Sequence, residues 1–190
     1  MRTNILLSIL LITAVIACTR KTPRELQVEK IQDLEKKAFP DSDSLKGIDK
    51  KEAFKLMKAY AEFSEKFSKD SLAPEYLFKA GEMAMNIQMG GQAVSYFNDV
   101  ISIFPDFRKA PEALFLTAFV FETQMNNKKR AKETYQQFID KYPNHSLARD
   151  AKASIENMDI PLDELVKKFE EKNRQEQSGK ETAQQPQGKK

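Results

Sequence analysis

The stretch S-L-A-P-E-Y-L-F-K-A-G-E, residues 71–82, returns as R-K-A-P-E-A-L-F-L-T-A-F, residues 108–119. Pro74 maps onto Pro111 and Phe78 onto Phe115, an offset of 37 (111 − 74), while Ala93, Phe97 and Pro105 map onto Ala131, Tyr135 and Pro143, an offset of 38 (143 − 105). One residue was therefore gained in the turn between the two halves of the pattern. A longer echo joins F-S-E-K-F-S-K-D-S-L-A, residues 63–73, to F-I-D-K-Y-P-N-H-S-L-A, residues 138–148, at an offset of 75, the sum 37 + 38. Self-similarity at this period is the mark of an array in which each repeat is one supersecondary unit that cannot bury its apolar face alone.

The residue types at the recurring positions have mechanical reasons. In one unit Leu77, Ala80-Gly81 and Ala84 precede Ala93, Phe97 and Pro105; in the next, Leu114, Ala118 and Phe121 precede Ala131, Tyr135 and Pro143. A small side chain at Gly81 or Ala118 lets a second helix approach, the aromatic at Phe97 or Tyr135 fills the space beside it, and the proline stops that second helix. The pattern resembles the tetratricopeptide repeat, a helix-turn-helix unit of about 34 residues. It implies an all-α fold: a tetratricopeptide-like right-handed stack of antiparallel helix pairs with a C-terminal capping helix.

The expected organisation follows from that frame. Residues 25–67 read as a divergent pair, in which Leu56-x3-Tyr60 takes the place of Ala131-x3-Tyr135. The clear repeats span about 71–106 and 107–144, with helices near 72–89, 92–104, 109–125 and 128–142 and turns at Gly90-Gly91 and Asn126-Asn127. Ser71 and Ser146 sit where an N-cap would open the next helices, and proline in a first turn, as at Pro74, costs little because its missing N–H would lack a partner. Leu114 to Phe121 is apolar almost all round and must be covered on several sides. Capping helices are expected at 146–158 and 161–172, the second with Leu162, Leu165, Val166 and Phe169 on one side. Residues 173–190 lack an apolar cluster and are expected to be disordered.

The N-terminus has the shape of a signal peptide, residues 1–17: Arg2, then an apolar run from Ile5 to Ala17 that is shorter than the roughly 20 residues needed to span a bilayer. Val15-Ile16-Ala17-Cys18 resembles the bacterial lipobox, which implies cleavage after Ala17 and acylation of Cys18, with residues 18–24 as a lipidated tether. Cys18 is the single cysteine of the chain and has no disulfide partner. Thr19 after it, rather than aspartate, resembles the pattern of lipoproteins sent to the outer membrane, so the expected location is the outer membrane, lipid-anchored and facing the periplasm. Removing Arg2 with the signal leaves 31 − 1 = 30 basic against 28 acidic residues. The charges are interspersed as on solvated helix faces, which points away from nucleic acid.

Site chemistry is nearly absent from the sequence. His145 is the sole histidine, in the turn after Pro143, where the other units have Asp70 and Phe107. Glu75 and Glu112 read as first-turn acids complementing helix dipoles. Met83, Met85 and Met89 on one helix read as core or, in the alternative, as an adaptable binding surface. No phosphate loop, nucleophile elbow, Cys/His cluster or calcium loop occurs, and the reading is a non-enzymatic protein with no metal and no cofactor. P-E-x-L-F and F-x-x-x-Y-P-N phrases behind a lipobox are similar to the D-subunit lipoproteins of the outer-membrane β-barrel assembly machinery and to the repeat domain of the periplasmic TolA-binding cell-division coordinator. The resemblance implies a scaffold that holds a segment of a protein partner. A groove lined by the first helices of each pair is expected at Tyr76, Lys79, Met83, Asn86, Phe115, Phe119 and Glu122. The alternative is a structural accessory whose apolar faces are all used in its own core or in a fixed complex.

Overall fold

The computed structural model describes residues 21–39, 49–161, 163–168, 170–171 and 173–174. The expected signal peptide, Cys18, the first three residues of the expected tether (18–20), Leu162, Phe169 and the tail beyond residue 174 lie outside the described residues, whereas Pro23 and Arg24, read from the sequence as tether, already belong to the first helix, which Thr22 caps. The architecture is all-helical among them: α1 (Pro23–Ala38), α2 (Lys50–Lys66), α3 (Ala73–Asn86), α4 (Gly90–Ile103), α5 (Ala110–Thr123), α6 (Lys128–Lys141) and α7 (Ala148–Asn157). Each helix packs against the next in chain order, as expected of stacked helix pairs. Helical backbone recurs at 163–168, where the Leu165 N–H donates to the Pro161 carbonyl at 2.9 Å. No described helix is long and apolar enough to cross a membrane.

Helix starts follow local chemistry. At α1, Thr22 and Glu25 form a reciprocal capping box: the Glu25 N–H donates to Thr22 Oγ1 at 3.2 Å and the Thr22 N–H to Glu25 Oε2 at 2.7 Å. At α2, Asp49 Oδ1 accepts from the N–H groups of Lys51 and Glu52 at 2.8 and 3.0 Å. Those two bonds hold the Asp49 carboxyl below the usual carboxylate range. Pro74 and Pro111 occupy first turns, as read from the sequence.

The connections between pairs are built three times over. Asp70 N–H donates to the Phe67 carbonyl and Ala73 N–H to the Asp70 carbonyl; the same two bonds recur as Phe107 to Phe104 and Ala110 to Phe107, and again as His145 to Tyr142 and Ala148 to His145. Their spacing reproduces the sequence offsets, 104 − 67 = 37 and 142 − 104 = 38. The core repeats with them. Leu56, Ala93 and Ala131, then Tyr60, Phe97 and Tyr135, then Phe63, Val100 and Phe138 are at most 2 % exposed. The divergent pair is thus a repeat unit in register with the other two. Burying a Phe or Leu side chain of this kind contributes about 1.5–3 kcal/mol.

Two details differ from the sequence expectation: Leu72 and Leu147, rather than Ser71 and Ser146, hold the cap positions of α3 and α7, without a side-chain capping bond, and the turn between α3 and α4 is not made by its glycines. Gly90 and Gly91 do not form the turn between α3 and α4; they are the first two residues of α4, and the left-handed residue is Gln88 at φ 64°. In the next unit Asn126, at φ 47°, has the same role. Asparagine is tolerated there because its short polar side chain suits the left-handed region, whereas Gln88 carries no such signal. What Gly90 provides is space: a Cβ on it would lie 3.2 Å from Gln124 Cβ and 3.3 Å from Val120 Cγ1.

Helix α5 holds the stack together. Its Ala113 and Val120 belong to the core built with α1–α4, and its Leu114, Ala118 and Phe121 to the core built with α6 and α7. A helix that serves two cores has to be apolar on opposite sides, which is the physical reason for the apolar run from Leu114 to Phe121, interrupted only by Thr117.

Candidate functional site

The stack has one face formed by the first helices, α1, α3 and α5, and another formed by the second helices, α2, α4 and α6. On the first, a hollow of about 300 Å³ lies between α1 and α3, lined among others by Glu35, Tyr60, Lys79, Glu82, Met83 and Asn86, with Phe39 at its rim. Its polar framework comes from three helices. The Tyr60 hydroxyl of α2 donates to Glu35 Oε1 of α1 at 2.6 Å, and Lys79 Nζ of α3 donates to the same oxygen at 3.1 Å. Lys79 also lies 5.4 Å from the Tyr60 ring centroid and 5.9 Å from that of Tyr76, and those two rings stack at 5.3 Å. Burial, reinforced by the Glu35 carboxylate, pushes the Tyr60 hydroxyl well above the usual phenol range, so it is a permanent donor.

Glu82 gives the hollow its electrostatic character. Burial pushes its carboxyl above the usual range; Lys109 and Lys79 pull it back down, while Glu75 and Glu112 push it further up. Glu75 accepts from Lys109 Nζ at 2.7 Å, and that ammonium sits 4.8 Å from the Phe78 ring centroid. Glu112 has one carboxylate oxygen buried without a hydrogen-bond partner. This face therefore alternates carboxylates, ammonium groups and aromatic rings.

The same tyrosine-to-glutamate bond closes the third unit, where the Tyr135 hydroxyl donates to Glu122 Oε2 at 2.9 Å. Tyr135 is the equivalent of Tyr60 (135 − 60 = 75), and burial pushes its hydroxyl above the usual range too.

The seven residues read as a groove from the sequence do not all line this hollow. Lys79, Met83 and Asn86 meet at the hollow. Tyr76 and Met83 are only 8 % and 5 % exposed and belong to the core between α2 and α3, so Tyr76 supports Lys79 from beneath. Phe115 packs on Tyr135 and Phe138 of α6, at 5.3 and 5.6 Å between ring centroids. Phe119 is exposed, and Glu122 is engaged by Tyr135. The repeat offset accounts for the mismatch: subtracting 37 from Phe115, Phe119 and Glu122 gives Phe78, Glu82 and Met85, one residue away from the face chosen in the preceding unit. Glu82 was legible from that offset. Glu35 and Phe39 were not, because the first helix shows no P-E-x-L-F phrase to align it with the later units, although Ile31 and Ala38 are buried in the core.

The remaining candidates have structural places. His145 Nδ1 accepts from the Leu147 N–H at 3.2 Å, the bond that Asp70 Oδ1 makes with the Leu72 N–H at 2.9 Å two repeat units earlier. The Cys18 site lies outside the described residues. Met85 and Met89 pack partly buried against the core. Among the described residues no group of three or more His, Cys, Asp or Glu is placed to hold a metal ion.

Residues 112–145 match the family model of the tetratricopeptide repeat, a span that runs from the first turn of α5 to the turn before α7. No curated protein matches the chain. The chain thus carries a tetratricopeptide repeat within an all-helical stack, and repeats of this kind are protein-interaction modules.

Proposed function

We propose that this protein is a non-enzymatic interaction scaffold held at a membrane by lipid on Cys18, on the periplasmic side of the outer membrane, and that it serves outer-membrane protein assembly or envelope maintenance. The observation that carries the scaffold reading is the hollow on the first-helix face, where Glu35, Tyr60 and Lys79 form a fixed polar frame beside Met83, with the exposed Phe119 further along the same face. Such a surface offers backbone-directed hydrogen bonds and an apolar contact to an extended or helical segment of a partner. The anchor rests on the lipobox resemblance, and acyl chains contribute about 0.8 kcal/mol per buried CH2, so two or more hold a protein stably on a bilayer.

A second reading, a structural accessory without a free groove, draws on the burial of Tyr76 and Met83 and on the partly buried Phe115 packed on Tyr135, each engaged in the protein's own packing. One experiment separates the two. The full-length tagged protein, its Cys18→Ala variant and its Lys79→Glu variant are purified in mild detergent and co-purifying proteins identified by mass spectrometry, with an alkyne-labelled fatty acid supplied during growth. The scaffold reading expects label on the wild type and on Lys79→Glu but not on Cys18→Ala, and a partner set that Lys79→Glu loses. If the partners stay with Lys79→Glu, the accessory reading takes its place. Equal label on all three removes the anchor from Cys18.

A further inference from the structure

The second-helix face carries a different hollow, of about 370 Å³, between α2 and α4, lined by Ala61, Ser64 and Glu65 of α2, by Tyr96, Asp99 and Ile103 of α4, and floored by Leu77 of α3. It exists because three positions depart from the repeat at the same seam. Ser64 is the equivalent of Ile101 (64 + 37) and Ile139 (101 + 38), so the aliphatic side chain present in the other two second helices is missing here. One seam later that side chain is in place, and Ile101 packs against the core that contains Leu114, the equivalent of Leu77. Ile103 stands where the neighbouring units have Lys66 and Lys141, and it is 57 % exposed. Tyr96 stands where they have Ala59 and Thr134.

A missing aliphatic group on one wall and an added aliphatic and aromatic group on the other are what a stack would carry if the seam were filled from outside. Filling it from within takes only a serine-to-isoleucine change, already present at the other two positions. Charge indicates what fills it. Glu65 and Asp99 lie on opposite walls, and neither carboxylate is in an ion pair or side-chain hydrogen bond among the described residues. We propose that this second-helix seam is a docking site, separate from the first-helix face, for a helical segment of another protein that inserts one large aliphatic or aromatic side chain between Ser64 and Ile103 and sets Lys or Arg against Glu65 and Asp99. The apolar insertion supplies affinity and the paired acids supply orientation, since rim charges change register and encounter more than they change affinity.

The test uses the full chain and a fluorescent, alanine-rich helical peptide carrying one leucine with lysines three residues before and four after it. Two control peptides replace the leucine by serine or both lysines by glutamate. Binding is read by fluorescence anisotropy and mapped by amide shifts in labelled protein. The expected result is binding that shifts Ser64, Leu77, Tyr96 and Ile103, weakens at least about tenfold with either control peptide, and weakens as much in Ser64→Ile, whose side chain occupies the hollow. Ile103→Lys restores the residue type of the neighbouring units on an exposed position, so it keeps the fold and gives the same loss if Ser64→Ile proves unstable. Absence of binding overturns the proposal, as does binding unchanged in both variants or shifts confined to Lys79 and Asn86. Sedimentation of the protein alone supplies the last control: a dimer dissolved by Ile103→Lys makes a second copy the occupant and also overturns it.

Discussion

Gly81 shows how little freedom a single position has in this stack. A Cβ built there would lie 2.5 Å from Phe97 Cε1 and 2.7 Å from Cδ1, and the Phe97 ring is fully buried with nowhere to move. Gly81→Ala is expected to destabilise the protein by about 1–3 kcal/mol through overpacking. Gly91 is the contrast: nothing lies within 4 Å of its Cβ position and its φ is negative, so Gly91→Ala is expected to stabilise by about 0.4–1 kcal/mol by restricting the unfolded chain. Urea denaturation of the two variants checks both signs, and a neutral Gly81→Ala would refute the packing account. Glu82 makes the second residue-scale prediction. An acid whose carboxyl is pushed up by burial holds its proton more tightly folded than unfolded, so it costs no stability below the usual glutamate range and an increasing amount as pH rises through that range towards its folded value. Glu82→Gln is therefore expected to melt higher than wild type at pH 7, and the difference should disappear as pH falls below the usual carboxylate range. Thermal melts across pH 3 to 8 check it, and a wild type that is the more stable at pH 7 would assign Glu82 a favourable pairing instead.

At the scale of elements, the turn before each new pair is the constant feature and its side chain the variable one. Asp70 and His145 each use a side-chain acceptor to hold the N–H two residues on, while Phe107 has none and relies on the backbone bonds and on its ring against Phe78, 6.3 Å between centroids. His145 also sets its ring edge-on to Phe138 at 5.4 Å. Because both His145→Ala and His145→Asp lose that ring contact while only the aspartate keeps the acceptor, the difference between them isolates the hydrogen bond. His145→Asp is expected to be the more stable by about 0.5–1.5 kcal/mol; equal midpoints in urea would show that the bond adds nothing. Asp70 has a further partner, Arg24 at the start of α1, which with the Leu72 N–H holds the Asp70 carboxyl below its usual range. That pair ties the first helix of the array to the turn that launches the second unit.

In the whole molecule, contacts run from each helix to its chain neighbour, and two buried cores meet at α5. Stability in such an array is close to a sum of units and interfaces. Phe138 is fully buried in the core that joins α5, α6 and α7, and Phe138→Ala is expected to cost about 3–5 kcal/mol. The loss should be local: amide exchange should accelerate in α6 and α7 and change far less in α2 and α3. Uniform acceleration along the chain would mean that the stack opens as one cooperative body.

Much of this organisation can be read without coordinates. The doubled P-E-x-L-F phrase, the 37 and 38 residue offsets and the aromatic of each second helix specify pairs, their order and their core, because burial in a repeat has to recur wherever the repeat does. Register in the divergent first unit was legible at Tyr60, whose equivalents Phe97 and Tyr135 are also aromatic, and at Leu56 four residues before it, where the later units have alanine. The sequence left open where surface begins. Tyr76 and Met83 have the same helical spacing as Lys79 and Asn86, and only the angle at which α2 meets α3 turns the first two inwards. Glu35 reaches Tyr60 and Lys79 from another helix, across 25 and 44 positions of chain, a meeting no local pattern encodes. The gap at Ser64 is of the same kind: the missing side chain is visible in the alignment of units, but whether neighbours close over it depends on packing between helices, and here Leu77, Tyr96 and Ile103 leave it open. Repetition in the chain determined the pairs and their core, while faces and hollows were decided by how the pairs lean on one another.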